Sequence, residues 1–500
     1  MKSQVILMAD RANGTLRDVP SQKKYVCVPK NDAHWVPIAE YMEEFPDADY
    51  AQAPDSAREA FLDMKYGLRI HWGIYTQLNL LGESWAFLNL SDGERQEYQQ
   101  AYKQFDPVRF DADEWMDFFV RAGFKCFAIT TKHHDGFSLF KTNTRVKRRV
   151  NWTAPVGPAI ENCDLAYSVG DAPFGRDIIK ELCDAARNAG LKINLYFSHP
   201  DWYDADFRPH CYHPFQTPDY KKYVTSGEDV RPYNKGREVA YGPPLEDFEF
   251  EAMNRRHREQ LIELVSDYGK IDMLCLDMWL GEKAWPETKK TIKQIRKIQP
   301  DIMMRARGIG NYGDYYTPEG FVPGDKENTE MPWMALNLIA NTSAYDPEAA
   351  NYKDAGWIIR NMLDAVSKGG NYMIGAGPDK TGLWHPEAIK RLTEVGDWLK
   401  RNGEAIYATR PREGDAYREG ENVYYTRSKD GKIVYAIHAG EVAGNLTLLK
   451  IDANKVKSVE SLKNGEPAKF AGGERGGLTI SVPVEKTKGE VASAFKISYK

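Results

Sequence analysis

Short apolar runs and longer two-faced stretches alternate along most of this chain. The runs at 66–75, 125–131, 191–197, 271–279, 302–307 and 372–375 have the length and polar flanks of buried strands. Between them lie stretches with helical spacing. Residues 111–122 put Trp115, Phe118, Phe119 and Ala122 on one face, and Gly123 stops the pattern. Residues 176–189 turn Ile179, Leu182, Ala186 and Ala189 inward, and Gly190 closes that helix. Further helices are predicted at about 248–268, 286–298, 355–367 and 386–402. The stretch Ile271-Asp272-Met273-Leu274-Cys275-Leu276-Asp277 is a strand that delivers an acid where burial stops.

Strands alternating with helices imply a parallel sheet with right-handed crossovers. Doubly wound sheets alternate in the same way, but no G-x-G-x-x-G follows a strand and no P-loop is present. Polar and aromatic residues recur just past the strand ends, and a closed barrel brings all those ends to one mouth. The expected fold is α/β: a (β/α)8-like TIM barrel followed by a C-terminal all-β sandwich. Residues 1–60 form an N-terminal lead-in, 61–407 the barrel and 408–500 the sandwich. The last assignment rests on short β-type runs at 422–426, 432–437 and 446–449 with turn residues between. Two long irregular stretches, about 142–173 and 204–246, follow barrel strands and border the mouth.

Composition narrows the class. With 500 residues, 42% hydrophobic and 28% charged, the chain suits a soluble globular protein of two domains. A net charge of -5 gives no drive toward nucleic acid or an anionic membrane, and no apolar run reaches transmembrane length. The run Val5-Ile6-Leu7-Met8 is too short for a signal-peptide core, so localisation stays open: periplasmic or secreted if a leader was removed, otherwise cytoplasmic. None of the six cysteines pair as C-x-x-C, and no disulfide framework is indicated.

The residues gathered at one barrel mouth are His71, Glu83, Trp85, His133, His134, Asp135, Tyr196, His199, Asp277, Arg307 and Glu319. Each has an ordinary reading: Asp277 as a helix cap or ion-pair partner, His71 as a satisfied core histidine. A metal site on His133 and His134 is disfavoured, because adjacent residues on a strand point to opposite sides and no third ligand at metal spacing is evident. Together the set forms neutral donors with two candidate acids, which suits a sugar with several hydroxyls and the two-carboxyl chemistry of glycoside hydrolysis.

The strings Gly67-Leu68-Arg69-Ile70-His71-Trp72-Gly73 and Gly82-Glu83-Ser84-Trp85 closely resemble the α-L-fucosidases of glycoside hydrolase family 29. So do Lys132-His133-His134-Asp135-Gly136-Phe137, Tyr196-Phe197-Ser198 and the Asp277 strand. The resemblance continues in order through Thr317-Pro318-Glu319 to about 410. It implies a retaining exo-glycosidase that removes terminal α-L-fucose from an oligosaccharide or glycoconjugate without a cofactor or metal. Asp277 would be the nucleophile. Glu319 would be the acid/base, with Glu327 and Glu330 as alternatives. His71, Glu83, Trp85, His133, His134, Tyr196 and Arg307 match positions that hold the sugar, and Trp85 and Phe137 are candidates for an apolar wall facing the C5 methyl; for Phe137 a core position is the other reading. Departures from the family pattern include Cys275 two residues before the nucleophile, where tryptophan is frequent. The alternatives are an enzyme for another α-L-sugar such as α-L-galactose, or a non-catalytic sugar-binding relative. The run Arg145-Val146-Lys147-Arg148-Arg149 is either a solvated face or a subsite for an anionic glycan. Oligomeric state is left open.

Overall fold

The structure, a computed structural model, describes residues 17–18, 24–25, 28–29, 32–209, 213–215, 243–323, 331–442, 444–483 and 487–500. Helix α1 (Asp55–Met64) leads into strand β1 (Tyr66–Ile70). Helices α2 (Asp92–Gln100) and α3 (Ala112–Arg121) precede β2 (Cys126–Lys132). A hairpin of β3 (Val146–Asn151) and β4 (Ala159–Leu165) occupies the first irregular stretch. Then come α4 (Ile178–Ala189), β5 (Lys192–Ser198), α5 (Asp247–Ser266), β6 (Met273–Asp277), α6 (Trp285–Ile298), β7 (Met303–Met304), β8 (Met334–Leu338), α7 (Ala355–Ser367), β9 (Asn371–Ala376) and α8 (Pro386–Asn402).

The helices form where spacing and capping agree. Asp111 and Asp177 accept from the backbone N–H of Glu114 and Lys180, so each capped helix begins with one of its orphan donors satisfied. Helix α3 then buries Trp115, Met116, Phe118 and Phe119 against the sheet.

The barrel strands pair in parallel in the order β8, β9, β1, β2, β5, β6, β7. Closure comes from a segment too irregular to be a regular strand. Arg305 bridges Tyr315 on the β7 side, while Tyr316 bridges Trp333 and Glu319 bridges Leu336 on the β8 side, all in parallel. Residues 315–319 are therefore the eighth stave. The 306–314 connection before this stave holds one short turn (Gly310–Tyr312) rather than a helix.

Inside the barrel, alternate residues of each strand stack in layers, as period-two geometry requires. The bottom layer is apolar and includes Cys126, Met273, Met303, Met334 and Met373. Above it, Arg69 and Arg305 both donate to Cys275 Sγ, at 3.0 and 3.3 Å. The top layer, one more alternation along each strand, carries His71, Asp277 and Arg307.

Beyond the barrel, antiparallel strands form a larger sheet that includes Val423–Arg427, Ile433–Ala439 and Ala492–Tyr499, and a three-stranded sheet of Gly444–Leu448, Phe470–Gly472 and Leu478–Val482. Tyr425, Val434, Leu446, Leu448 and Ile480 fill the space between them, the core of a sandwich. The opposite face of the larger sheet joins the barrel core through Tyr424, Tyr435 and Ile437, and Trp398 Nε1 of α8 donates to Ala492 O at 2.9 Å. Among the described residues no helix is long and apolar enough to cross a membrane.

Candidate active site

Asp277 ends β6 at the mouth of the barrel. Its Oδ2 accepts from the Tyr196 hydroxyl at 2.6 Å and lies 3.7 Å from His134 Nε2. Its Oδ1 accepts from Arg307 at 2.7 Å, with Arg305 at 3.5 Å. Burial alone would raise its pKa, but the Arg307 and Arg305 guanidiniums outweigh burial and hold the carboxyl well below the usual range. Asp277 is an ionised carboxylate at neutral pH. Met278, immediately after it, has a φ of 62°, a left-handed conformation uncommon for a side chain of its size.

The same two guanidiniums reach a second carboxylate. Arg305 donates to Glu319 Oε1 at 2.6 Å and Arg307 lies 2.9 Å from Oε2. Asp277 and Glu319 are thus bridged twice. The Glu319 side chain is 36% exposed, against 11% for Asp277, so it faces an opening. Here too burial pushes the pKa up, Arg307 and Arg305 pull it down further, and the negative Asp277 opposes them.

Across the pocket stand rings rather than charges. His133 and His134 end the β2 run, with centroids 4.3 Å apart, and the His133 ring stacks on Tyr196 at 5.5 Å. His71 contacts both His133 and Tyr196. Burial holds His71 and His133 well below the usual imidazole range and brings His134 to about 4. All three are neutral at physiological pH. His133 Nδ1 pairs with Ser84 Oγ, whereas buried His71 Nδ1 and both His134 nitrogens have no hydrogen-bond partner among the described residues. Trp85 packs edge-on to His134 at 4.6 Å and to Trp202 at 5.4 Å, at the pocket's side. Glu83 adopts a φ of 54° and accepts from Ser343 N at 3.0 Å and from its hydroxyl; burial raises its pKa.

Other residues of the sequence set prove to be supports. Asp135 accepts from the Tyr98 hydroxyl at 2.7 Å and from Phe137 N at 3.2 Å, which shapes the turn after β2. Gly136 in that turn has a φ of 84°, and a Cβ there would meet Asp201 Oδ1 at 2.1 Å, so only glycine fits. Phe137 packs against Phe105 and Tyr167 in the core; it is not an apolar wall of the pocket. His199 turns away to pair with His257 at 2.8 Å and Arg307 O at 3.4 Å, bracing the loop after β7. Glu327 and Glu330 lie outside the described residues. Among the described residues no three His, Cys, Asp or Glu side chains group as metal ligands.

The basic run is already spoken for. Arg145 and Lys147 pair with Asp164, Arg148 with Asp206, and Arg149 with Glu161, which leaves little free charge for an anionic subsite.

Sequence reasoning missed three contributors. Arg69 and Arg305 stand two residues before His71 and Arg307 on their strands, so strand alternation aims each pair into the same barrel interior. His34 was passed over within a polar lead-in. Its half-buried imidazole is pulled down to about 3, by burial first and then by Arg307, with Asp277, Arg305 and Glu319 also acting on it.

Comparison with known proteins gives a consistent result. The sequence model of the Alpha-L-fucosidase family matches residues 39–404. The tissue alpha-L-fucosidase of Homo sapiens is 27% identical over 430 residues, covering 80% of this chain and 78% of that protein. Among solved structures, alpha-L-fucosidase isoenzyme 1 from Paenibacillus thiaminolyticus superposes with a TM-score of 0.70 at 25% identity, covering 89% of this chain and 99% of that one. The Thermotoga maritima alpha-fucosidase in complex with fucose superposes with a TM-score of 0.66 at 22% identity, covering 90% and 100%.

Proposed function

Since the chain belongs to the alpha-L-fucosidase family and is a glycoside hydrolase of that type, we propose that it removes terminal α-L-fucose from oligosaccharides or glycoconjugates by a retaining double displacement. The observation that carries this reading is the carboxylate pair bridged twice by guanidiniums across the pocket from neutral histidines. Carboxylates close enough to share guanidiniums fit the spacing of about 5–5.5 Å that retaining enzymes use better than the wider gap that admits a water.

Asp277, ionised and held by Tyr196 and Arg307, attacks the anomeric carbon and forms a glycosyl ester. Glu319, on the open side, gives its proton to the leaving oxygen and then takes one from the incoming water. The charge of Asp277 raises the Glu319 pKa in the first step, and esterification removes that charge in the second. The direction suits an acid that becomes a base. Protonating Glu319 also requires that bound substrate draw off part of the guanidinium clamp. His71, His133 and His134, neutral and partly unpartnered, supply donors and acceptors to the sugar hydroxyls, and Trp85 offers its ring to the apolar side of the sugar.

A second assignment of the acid rests on one observation: burial raises the carboxyl of Glu83, as a proton donor needs, whereas Glu319 is pulled down. Hydrolysis of aryl α-L-fucoside and aryl α-L-galactoside by wild type, Asp277→Ala, Glu319→Ala and Glu83→Gln, with and without EDTA, separates the readings. The proposal expects fucoside cleavage indifferent to EDTA, an inert Asp277 variant, and azide rescue of Glu319→Ala only. Azide rescue of Glu83→Gln instead would transfer the acid role. Cleavage of the galactoside alone would change the sugar.

A further inference from the structure

Residues 28–29 and 32–53 do not run loosely ahead of the barrel; they lie along the 306–314 connection that carries Arg307. Asn311 Oδ1 accepts from Val28 N at 2.8 Å and its Nδ2 donates to Glu44 O at 2.7 Å. The Tyr50 hydroxyl donates to Tyr312 O at 2.6 Å, Gln52 donates to Asn311 O and Gly313 O, and Asp314 accepts from Ala53 N at 2.8 Å. Trp35 and Met42 press on Gly310 so closely that a Cβ there would lie 2.4 and 2.5 Å from them. Just before Trp35, the Asp32 carboxylate accepts from the N–H groups of His34 and Trp35 at 2.9 and 3.1 Å and fixes the turn. The charged groups that act on the His34 imidazole are Arg307, Asp277, Arg305 and Glu319, and Asp277 feels His34 in return.

Trp35 against Gly310 and the turn held by Asp32 set the half-buried His34 beside the loop that carries Arg307, on the carboxylate side of the mouth. In a double displacement the leaving group departs past the acid, and Glu319 is the more open of the two carboxylates. We infer that the N-terminal segment forms a wall of the leaving-group subsite and that His34 hydrogen-bonds a hydroxyl of the sugar to which fucose is attached. This rests on the reading of Asp277 and Glu319 given above. A neutral imidazole offers one donor and one acceptor, which matches a hydroxyl. The occupant is a hydroxyl-bearing leaving group, such as a second sugar, rather than a bare aromatic ring.

The test compares kcat/KM for a fucosyl disaccharide with that for an aryl α-L-fucoside, in wild type, His34→Ala and His34→Gln full-length enzyme. Losing one neutral hydrogen bond to a hydroxyl should lower the disaccharide-to-aryl ratio about tenfold in His34→Ala. His34→Gln, which keeps a donor and an acceptor, should return the ratio to within about threefold of wild type. An unchanged ratio in His34→Ala overturns the inference, whether both rates are intact or both fall together, as a scaffold defect would make them. Should wild type cleave neither substrate, the failure lies in the proposed function itself and takes the inference with it.

Discussion

The two walls of the pocket are built on opposite principles. One is carried by β1, β2 and β5, paired strands of five, seven and seven residues that present His71, His133, His134 and Tyr196 at or near their ends. These groups are neutral, packed ring against ring and buried. The other is carried by β6, the two-residue β7 and the irregular stave 315–319, and it presents Asp277, Arg305, Arg307 and Glu319, all charged. Neutral donors need a fixed position, which a regular sheet supplies. Two carboxylates of like charge need compensation, and here two arginines two residues apart, just past β7, reach both. The comparison teaches that paired strands suffice to place neutral groups, while charge complementarity holds the carboxylates where the sheet gives way to the short β7 and the irregular stave.

The sharpest way to break the charged wall is Asp277→Asn, which removes the proposed nucleophile while keeping the shape; kcat/KM should fall about 10⁴-fold or more, read by initial rates on an aryl fucoside. Glu319→Gln should cost about 10²–10⁴-fold on a substrate with a poor leaving group and much less on an activated aryl fucoside, which needs no acid. Arg305→Met should act through pH. With one of its clamps gone the Glu319 carboxyl rises, so the alkaline limb of the kcat/KM profile, where the acid loses its proton, moves to higher pH.

The neutral wall predicts a different pH behaviour. His134 and His199 are brought from 6.5 to about 4 by burial, so the unfolded chain binds protons there before the folded one does. Their contribution to stability is complete above pH 6.5 and is lost as pH falls toward 4. Chemical denaturation at pH 7.5 and 4.5 should show the decline, and His134→Gln should flatten it. The smallest effect belongs to neither wall: Arg149→Ala in the hairpin breaks a partly exposed pair with Glu161 and should cost on the order of 1 kcal/mol or less. Its activity on sulfated and neutral fucosides should fall equally, if at all.

The legibility of this molecule in its sequence divides along the same line. The strands of the neutral wall announce themselves through apolar runs and polar tips, and Asp277 through the end of burial on β6. The helices are marked by period and by Asp or Gly at their ends. The eighth stave has no such mark, because Tyr315-Tyr316-Thr317-Pro318-Glu319 carries a proline and little apolar patterning, and its pairing partners come from elsewhere in the fold. Arg305 was obscured for another reason: an arginine inside an apolar run looks out of place until the barrel interior is known to hold a second guanidinium and a thiol at the same level. Phe137 misled because an aromatic beside two functional histidines fits a pocket wall and a core equally well. His34 lies in a segment without strong periodicity, and the charged groups that act on it are more than 240 positions away.

That separation also bears on how the protein is made. Val28, Tyr50 and Ala53 leave the ribosome before the barrel strands, yet their hydrogen-bonding partners at 311–314 emerge only after most of the barrel has been synthesised. Such sequence-distant pairing carries a loop-closure cost and forms slowly. The reactive wall should therefore mature after the sheet beneath it, so that in refolding the tryptophan signal recovers before catalysis does.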